Sequence, residues 1–123
     1  MKIALLSDIH GNMDAFDAVL ADIDRMRVDT VFSLGDNIGY GAEPERVMRT
    51  LRDRCIPSVL GNHELAARRP GFLDWFNPAA RHSLAMTFQM LSADSLEWIA
   101  GMPLYRQVGD ARLVHGFPPD SPT

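Results

Sequence analysis

The chain has 123 residues, 46% of them hydrophobic and 23% charged, and its twelve basic against sixteen acidic side chains leave a net charge of −4. That length and balance describe one globular domain that needs no disulfide or structural metal to fold, and its single cysteine has no partner in the chain. The scattered cations argue against a nucleic-acid surface, no run approaches the roughly twenty apolar residues of a membrane span, and MKIALLSD turns polar too early for a signal peptide, which places the protein in the cytoplasm.

From the amino terminus, Lys2 to Leu6 reads as a strand buried on both faces that stops at Ser7-Asp8. Asn12 is positioned to cap a helix through MDAFDAVLADIDRM, where Phe16, Val19, Leu20 and Ile23 recur at helical spacing. Thr30 to Leu34 repeats the strand pattern and ends at Gly35-Asp36. The loop NIGYGAEP leads to a helix over Glu43 to Arg54, with Val47, Met48 and Leu51 on one face. Cys55 to Leu60 is the third strand, with Cys55 as a small buried hydrophobe. Strand alternating with helix is the pattern of parallel crossover units, so three strand ends should lie along one edge of one sheet.

Farther on, RRPGFLDWFNP reads as a loop or lid, with Trp75 and Phe76 either shaping the lid or covering the core. Pro78 to Leu91 resumes helical spacing through Leu84, Ala85, Phe88 and Leu91, and Ser92 to Ala100 forms a short helix closed by Gly101. LYRQV and ARLVH around Gly109-Asp110 are a β-hairpin, followed by a non-helical tail containing Pro118, Pro119 and Pro122.

Within this layout the polar residues gather at strand ends: Asp8 and His10 after the first strand, Asp36 after the second, Asn62 and His63 after the third, and His115 after the hairpin. Ligands bind at such ends because loops converge there. Two residues apart in extended chain, Asp8 and His10 would point to one side and share a cation. Asp36 has two carboxylate oxygens and can bridge two cations. An oxygen and nitrogen donor set without thiolate favours manganese, iron or zinc. Singly, Asp8 and Asp36 are ordinary turn residues and Asn62 an ordinary helix cap. Jointly, turn chemistry does not call for three of four histidines at strand ends beside carboxylates and amides.

The motifs D-x-H (Asp8 to His10), GDN (Gly35 to Asn37), GNHE (Gly61 to Glu64) and VHG (Val114 to Gly116), in this order, resemble the calcineurin-like metallophosphoesterases over essentially the whole chain. The resemblance implies an α/β fold, an αββα sandwich with a dinuclear centre at the sheet edge. It also implies hydrolysis of a phosphomonoester or phosphodiester by a hydroxide bridging two divalent metal ions. Asp8 and His10 would bind the first metal, Asp36 both, and Asn62 with His115 the second. His63 would stand beside the phosphate, stabilise its oxygens if protonated, and protonate the leaving group. Substrates would be a phosphorylated small molecule, a nucleotide or a phosphoprotein.

Two departures from the family pattern bear on these expectations. The family usually shows GNHD where Glu64 stands, and Glu64 or Asp36 is the candidate carboxylate to raise and orient His63. The family pattern also continues to a Gly-His-x-His segment that nothing after Gly116 supplies, and His82, in AARHSLAM, reads as a structural histidine. The chain is therefore expected to be a single domain over residues 1–123, the amino-terminal part of a longer domain with its second sheet truncated, or to pair with a copy of itself across the uncovered edge. A non-catalytic metal-binding or interaction module retaining the fold is the alternative. Arg68 and Arg69 are expected to be solvated, and Tyr40 is open to either a core or a site role.

Overall fold

Two parallel strands need a long connection between them, and α1 (Met13–Met26) supplies it here, joining β1 (Ile3–Leu6) to β2 (Thr30–Ser33). The register pairs Ile3 with Thr30 through to Leu6 with Ser33 in this computed structural model, which describes residues 1–116. The tail with Pro118, Pro119 and Pro122 lies outside the described residues. As expected, α1 starts at Asn12, whose Oδ1 accepts the Ala15 N–H at 3.1 Å. It buries Met13, Phe16, Leu20 and Ile23, whereas Val19, at the margin of that stripe, is 40% exposed. Ala4 and Leu6 pack on this core, but Leu5, on the opposite face of β1, is 50% exposed, so the strand is covered on one face rather than two.

After β2 the chain enters α2 (Pro44–Asp53), where proline in the first turn needs no hydrogen-bond partner for its nitrogen. Val47, Met48 and Leu51 are fully buried against α1 and the rest of the core. The expected third strand is reduced to one parallel bridge between Ser33 and Ser58, held by Ser33 N–H to Pro57 O (2.9 Å) and Val59 N–H to Ser33 O (3.0 Å). Two local causes shorten it. Cys55 leaves α2 in a left-handed conformation (φ 55) and is exposed, not buried as expected, and Pro57 has no N–H to give a ladder.

The chain then runs directly into α3 (Asn62–Arg68), followed by a 3₁₀ turn (Pro70–Trp75) inside the expected loop, α4 (Pro78–Met90) and α5 (Ala93–Ala100). Asn77 and Ser92 cap the last two through their side chains. His82 is exposed on α4, away from any ligand group. Arg68 is not solvated: its Nη2 donates to the carbonyls of Ile99 (2.6 Å) and Met102 (2.7 Å) at the end of α5. Arg69 is exposed. The hairpin β3 (Tyr105–Val108) and β4 (Ala111–Val114) forms a second, antiparallel two-stranded sheet. Trp75 is exposed beside Phe72, whereas Phe76 turns inward. No helix among the described residues is long and apolar enough to cross a membrane.

A polar cluster ties α2 to α5. Glu45 accepts from the N–H (2.9 Å) and Oγ (3.0 Å) of Ser92 and from Ser95 Oγ (2.7 Å), with Arg52 at 3.7 Å. Burial pushes its carboxyl up, and these hydrogen bonds together with Arg52 outweigh that effect, leaving it below the unfolded-chain value of 4.5. A carboxylate lowered by folding stabilises fully above its unfolded value, and the contribution disappears as pH falls through the folded one. Denaturant unfolding across pH should therefore show wild type above Glu45→Gln at pH values above 4.5, with the gap narrowing on acidification. A gap that widens on acidification contradicts this account.

Candidate metal centre

The pairing of β1 with β2 continues past the strand ends through the loops. Asp8 N–H donates to Gly35 O (3.0 Å), His10 N–H to Asp36 O (3.0 Å) and Gly11 N–H to Asn37 O (2.8 Å). The first two loops are thus zipped together residue by residue. Asp8, His10 and Asp36 all adopt left-handed backbone (φ 59, 50 and 57), which is uncommon outside glycine. Asp8 and His10 therefore meet through two left-handed residues, not through the extended segment expected from their spacing. Gly35 (φ 97) lies so close to Gly61 that an added Cβ would come within 2.6 Å of its nitrogen, which brings the loop carrying Asn62 against the loop carrying Asp36.

The side chains converge. His10 Nε2 lies 3.5 Å from Asp8 Oδ1 and 3.9 Å from Asp36 Oδ2, and His115 Nε2 lies 3.3 Å from Asp36 Oδ2 and 3.1 Å from Asn62 Oδ1. All five residues expected to hold metal are together, with Asp36, 4% exposed, in the middle. Ligand atoms of Asp8, Asp36 and His115 fall within 4.8 Å of one another, and so do those of His10, Asp36 and His63. His63 was expected beside the phosphate, and here its ring is within reach of the same atoms.

The two outer histidines are oriented alike. Nδ1 of His10 donates to Ile38 O (2.9 Å) and Nδ1 of His115 to Leu34 O (2.8 Å), which turns each Nε2 towards the centre. Metal-ligating imidazoles are held in this way by a hydrogen bond from the other nitrogen. A hydrogen bond with Asp36 raises the His115 pKa to about 9 despite its burial, so a proton and a cation compete for the same Nε2 position. Burial acts to raise the Asp36 carboxyl, and His115 with the His63 N–H overcomes this and lowers it. With Oδ1 inward, Asn62 adds another acceptor to the centre, whereas turned over its Nδ2 would donate to Asp36 Oδ2 (2.8 Å). Carboxylates, amide oxygen and imidazole nitrogens facing one point fit a divalent cation.

Glu64 is the residue the sequence reading undervalued. It is fully buried, and its Oε1 accepts the N–H of Asp36 (2.7 Å) and of Gly61 (2.9 Å) while Oε2 accepts that of Asn37 (2.9 Å). It therefore clamps the Asp36 loop to the start of α3 and does not serve His63. Burial and the nearby Asp36 charge raise its carboxyl to about 7 against those three amide bonds. The signal was present: glutamate three residues after Gly61 is capping-box spacing. Beneath it, buried Asn37 accepts from Ser33 Oγ (2.6 Å) and donates to Ser58 Oγ (3.0 Å), a network whose members look like isolated polar residues in sequence.

His63 is held differently from the other two. Its backbone N–H donates to Asp36 Oδ1 (3.0 Å), and its ring packs against His10 (4.6 Å between centroids), Tyr40 (5.2 Å) and the edge of Phe76 (5.2 Å). Gly39 (φ 88) leaves no room for a Cβ over Nδ1. That Nδ1 is buried without a partner. Burial lowers its pKa below the ordinary histidine value, more than the nearby Asp36 raises it.

Comparison with known proteins returns the same family that the motifs resemble. The family model described as calcineurin-like phosphoesterase matches residues 1–121. The chain is 36% identical over 102 residues to an uncharacterized protein of Methanocaldococcus jannaschii, covering 83% of this chain and 42% of that protein. It is 31% identical over 122 residues to the symmetrical bis(5'-nucleosyl)-tetraphosphatase of Delftia acidovorans, covering 94% of this chain and 41% of that enzyme. Among solved structures, a metallophosphoesterase from Sphaerobacter thermophilus superposes with a TM-score of 0.74 at 38% identity, over 91% of this chain and 45% of that one. The chain thus spans less than half the length of each of these three proteins.

Removing the Glu64 side chain leaves three buried amides without acceptors, each costing about 1–3 kcal/mol. Glu64→Ala should lower the unfolding free energy by roughly 3 kcal/mol or more, read by urea denaturation. A loss under about 1 kcal/mol would mean that the amides find other acceptors and the clamp is dispensable.

Proposed function

Because the chain belongs to the calcineurin-like phosphoesterase family, we propose that it takes part in metal-dependent hydrolysis of a phosphomonoester or phosphodiester at the centre around Asp36. Asp8, His10 and Asp36 would hold one divalent cation, and Asp36, Asn62 and His115 a second. Bound there, the cations would acidify water towards neutral pH and polarise the phosphoryl oxygens. The observation that carries this reading is the position of Asp36, a buried carboxylate with imidazole Nε2 atoms of His10 and His115 at 3.9 and 3.3 Å from one oxygen.

The chain's own residues prepare the rest. Carbonyls of Ile38 and Leu34 fix the tautomers of His10 and His115, so each ligand nitrogen is oriented before anything binds. His63, whose ring packs beside those of His10 and Tyr40 at the edge of the centre, would donate a hydrogen bond to a phosphoryl or leaving-group oxygen. The tetraphosphatase relatives support a nucleotide among the phosphorylated substrates.

Metal analysis beside hydrolysis of an aryl phosphate and an aryl phosphodiester tests the reading. Asp36→Asn should lower metal content at both positions. His63→Ala should keep metal and lose roughly 10²–10⁴-fold in turnover. Zero or one metal per chain with no turnover would support a non-catalytic module instead, and unchanged metal content in Asp36→Asn would remove the bridging role.

A further inference from the structure

Tyr40 is held in an unusual way for a side chain with no role in the core. It is 60% exposed yet sits in left-handed backbone (φ 66), between two glycines, with its N–H tied to Ser83 Oγ on α4 at 3.0 Å. Its ring stands 5.0 Å from that of His10 and 5.2 Å from that of His63. Strained backbone that persists on a surface points to a use for the side chain it presents.

Beside this ring opens a cavity of about 470 Å³ lined by Asp8, His10, Asn12, Asp14, Tyr40 and Glu43 among others, a volume within the roughly 300–1,000 Å³ of small-molecule sites. Because Asp8 and His10 belong both to this cavity and to the metal centre, the group esterified to a phosphate at the centre would extend along Tyr40. Two features describe that group. The tyrosine offers a π-face, and Asp14 and Glu43 offer acceptors. A quaternary ammonium would call for a cage of several aromatic rings. Tyr40 is the one Phe, Tyr or Trp lining this cavity among the described residues. A flat heterocycle bearing N–H donors fits both features better.

We propose that Tyr40 is a specificity residue that stacks on the base of a nucleoside phosphoester whose phosphate lies at the Asp36 centre. The inference rests on the phosphoesterase reading of that centre and adds what the substrate carries beyond its phosphate. Base–aromatic stacking contributes about 1–3 kcal/mol by alanine substitution, which corresponds to roughly 5- to 150-fold.

Adenosine 5'-monophosphate and ribose 5-phosphate share the ester and the sugar and differ in the base, so their ratio isolates the stack. With the manganese-loaded protein, wild type should favour the nucleotide both in kcat/KM and in calorimetric affinity. Tyr40→Ala should shrink both ratios by roughly 5- to 150-fold, and Tyr40→Phe should keep them. Tyr40→Asn, which tolerates left-handed backbone, should behave as Tyr40→Ala if the ring and not the fold is responsible. If neither compound is hydrolysed but the affinity ratio collapses in the variants, the stack stands and the hydrolytic reading fails. If both are hydrolysed and wild type shows no preference, or the ratios survive in Tyr40→Ala and Tyr40→Asn, the stack is overturned and the hydrolytic reading stands.

Discussion

The carboxylate of Glu64 is the interaction on which the centre depends. It collects three backbone amides from two segments far apart in sequence, Asp36 and Asn37 on one side and Gly61 on the other. A neutral side chain could not offer four acceptor lone-pair sites in this space, and a shorter carboxylate would have to shift one segment towards the other. The order it imposes passes outward. Glu64 fixes the Asp36 backbone, Asp36 Oδ1 fixes the His63 N–H, and α3 is thereby started at the point where Asn62 faces His115. Its elevated pKa shows the cost of burying this group, to which the nearby Asp36 charge adds, a cost that the three amide bonds only partly offset.

The rest of the centre is built by arranging acceptors against acceptors. Two carboxylates and two imidazole Nε2 atoms approach one another, with the Asn62 oxygen beside them. In a protein interior such groups repel unless a proton or a cation lies between them. The proton shared by His115 and Asp36 is one solution, and a divalent cation satisfies more of the acceptors at once. Left-handed backbone at Asp8, His10 and Asp36 adds local strain of the kind that concentrates at functional sites. The strain is tolerable because each of these loops is hydrogen-bonded to its neighbour along its length.

Much of this was legible in the sequence because it rests on local signals. Asn12, Asn77 and Ser92 announce helix starts, the 3.6-residue period locates α1, α2 and α4, and Gly109-Asp110 marks the hairpin turn. The converging residues were legible too, since each follows an apolar run, although Asn62 opens α3 after a single Ser33–Ser58 bridge and not after a strand. What escaped depends on partners distant in sequence. Cys55 lies in an apolar run but follows a left-handed C-terminus, so it is turned outward. Arg68 looks like a solvated cation until the end of α5 arrives beside it with free carbonyls. Glu64 reads as an altered Asp, and only its amide partners, 27 and 28 residues away, reveal a clamp. Asp8 and His10 converge as expected but by a different backbone, because spacing reports direction only when the local conformation is known.

The division of labour among the three central histidines follows from which carbonyl each can reach. His10 finds Ile38 O and His115 finds Leu34 O, so each gives up Nδ1 and turns Nε2 towards the centre. His63 enters on the first turn of a helix whose backbone already serves Asp36, and its buried Nδ1 meets no acceptor. Its ring is fixed by shape instead, between His10, Tyr40 and Phe76 and over the space that Gly39 leaves open. Packing thus restrains the ring without consuming its polar atoms. Burial lowers the pKa of that ring more than the neighbouring Asp36 raises it, the opposite of the balance at His115, where Asp36 prevails.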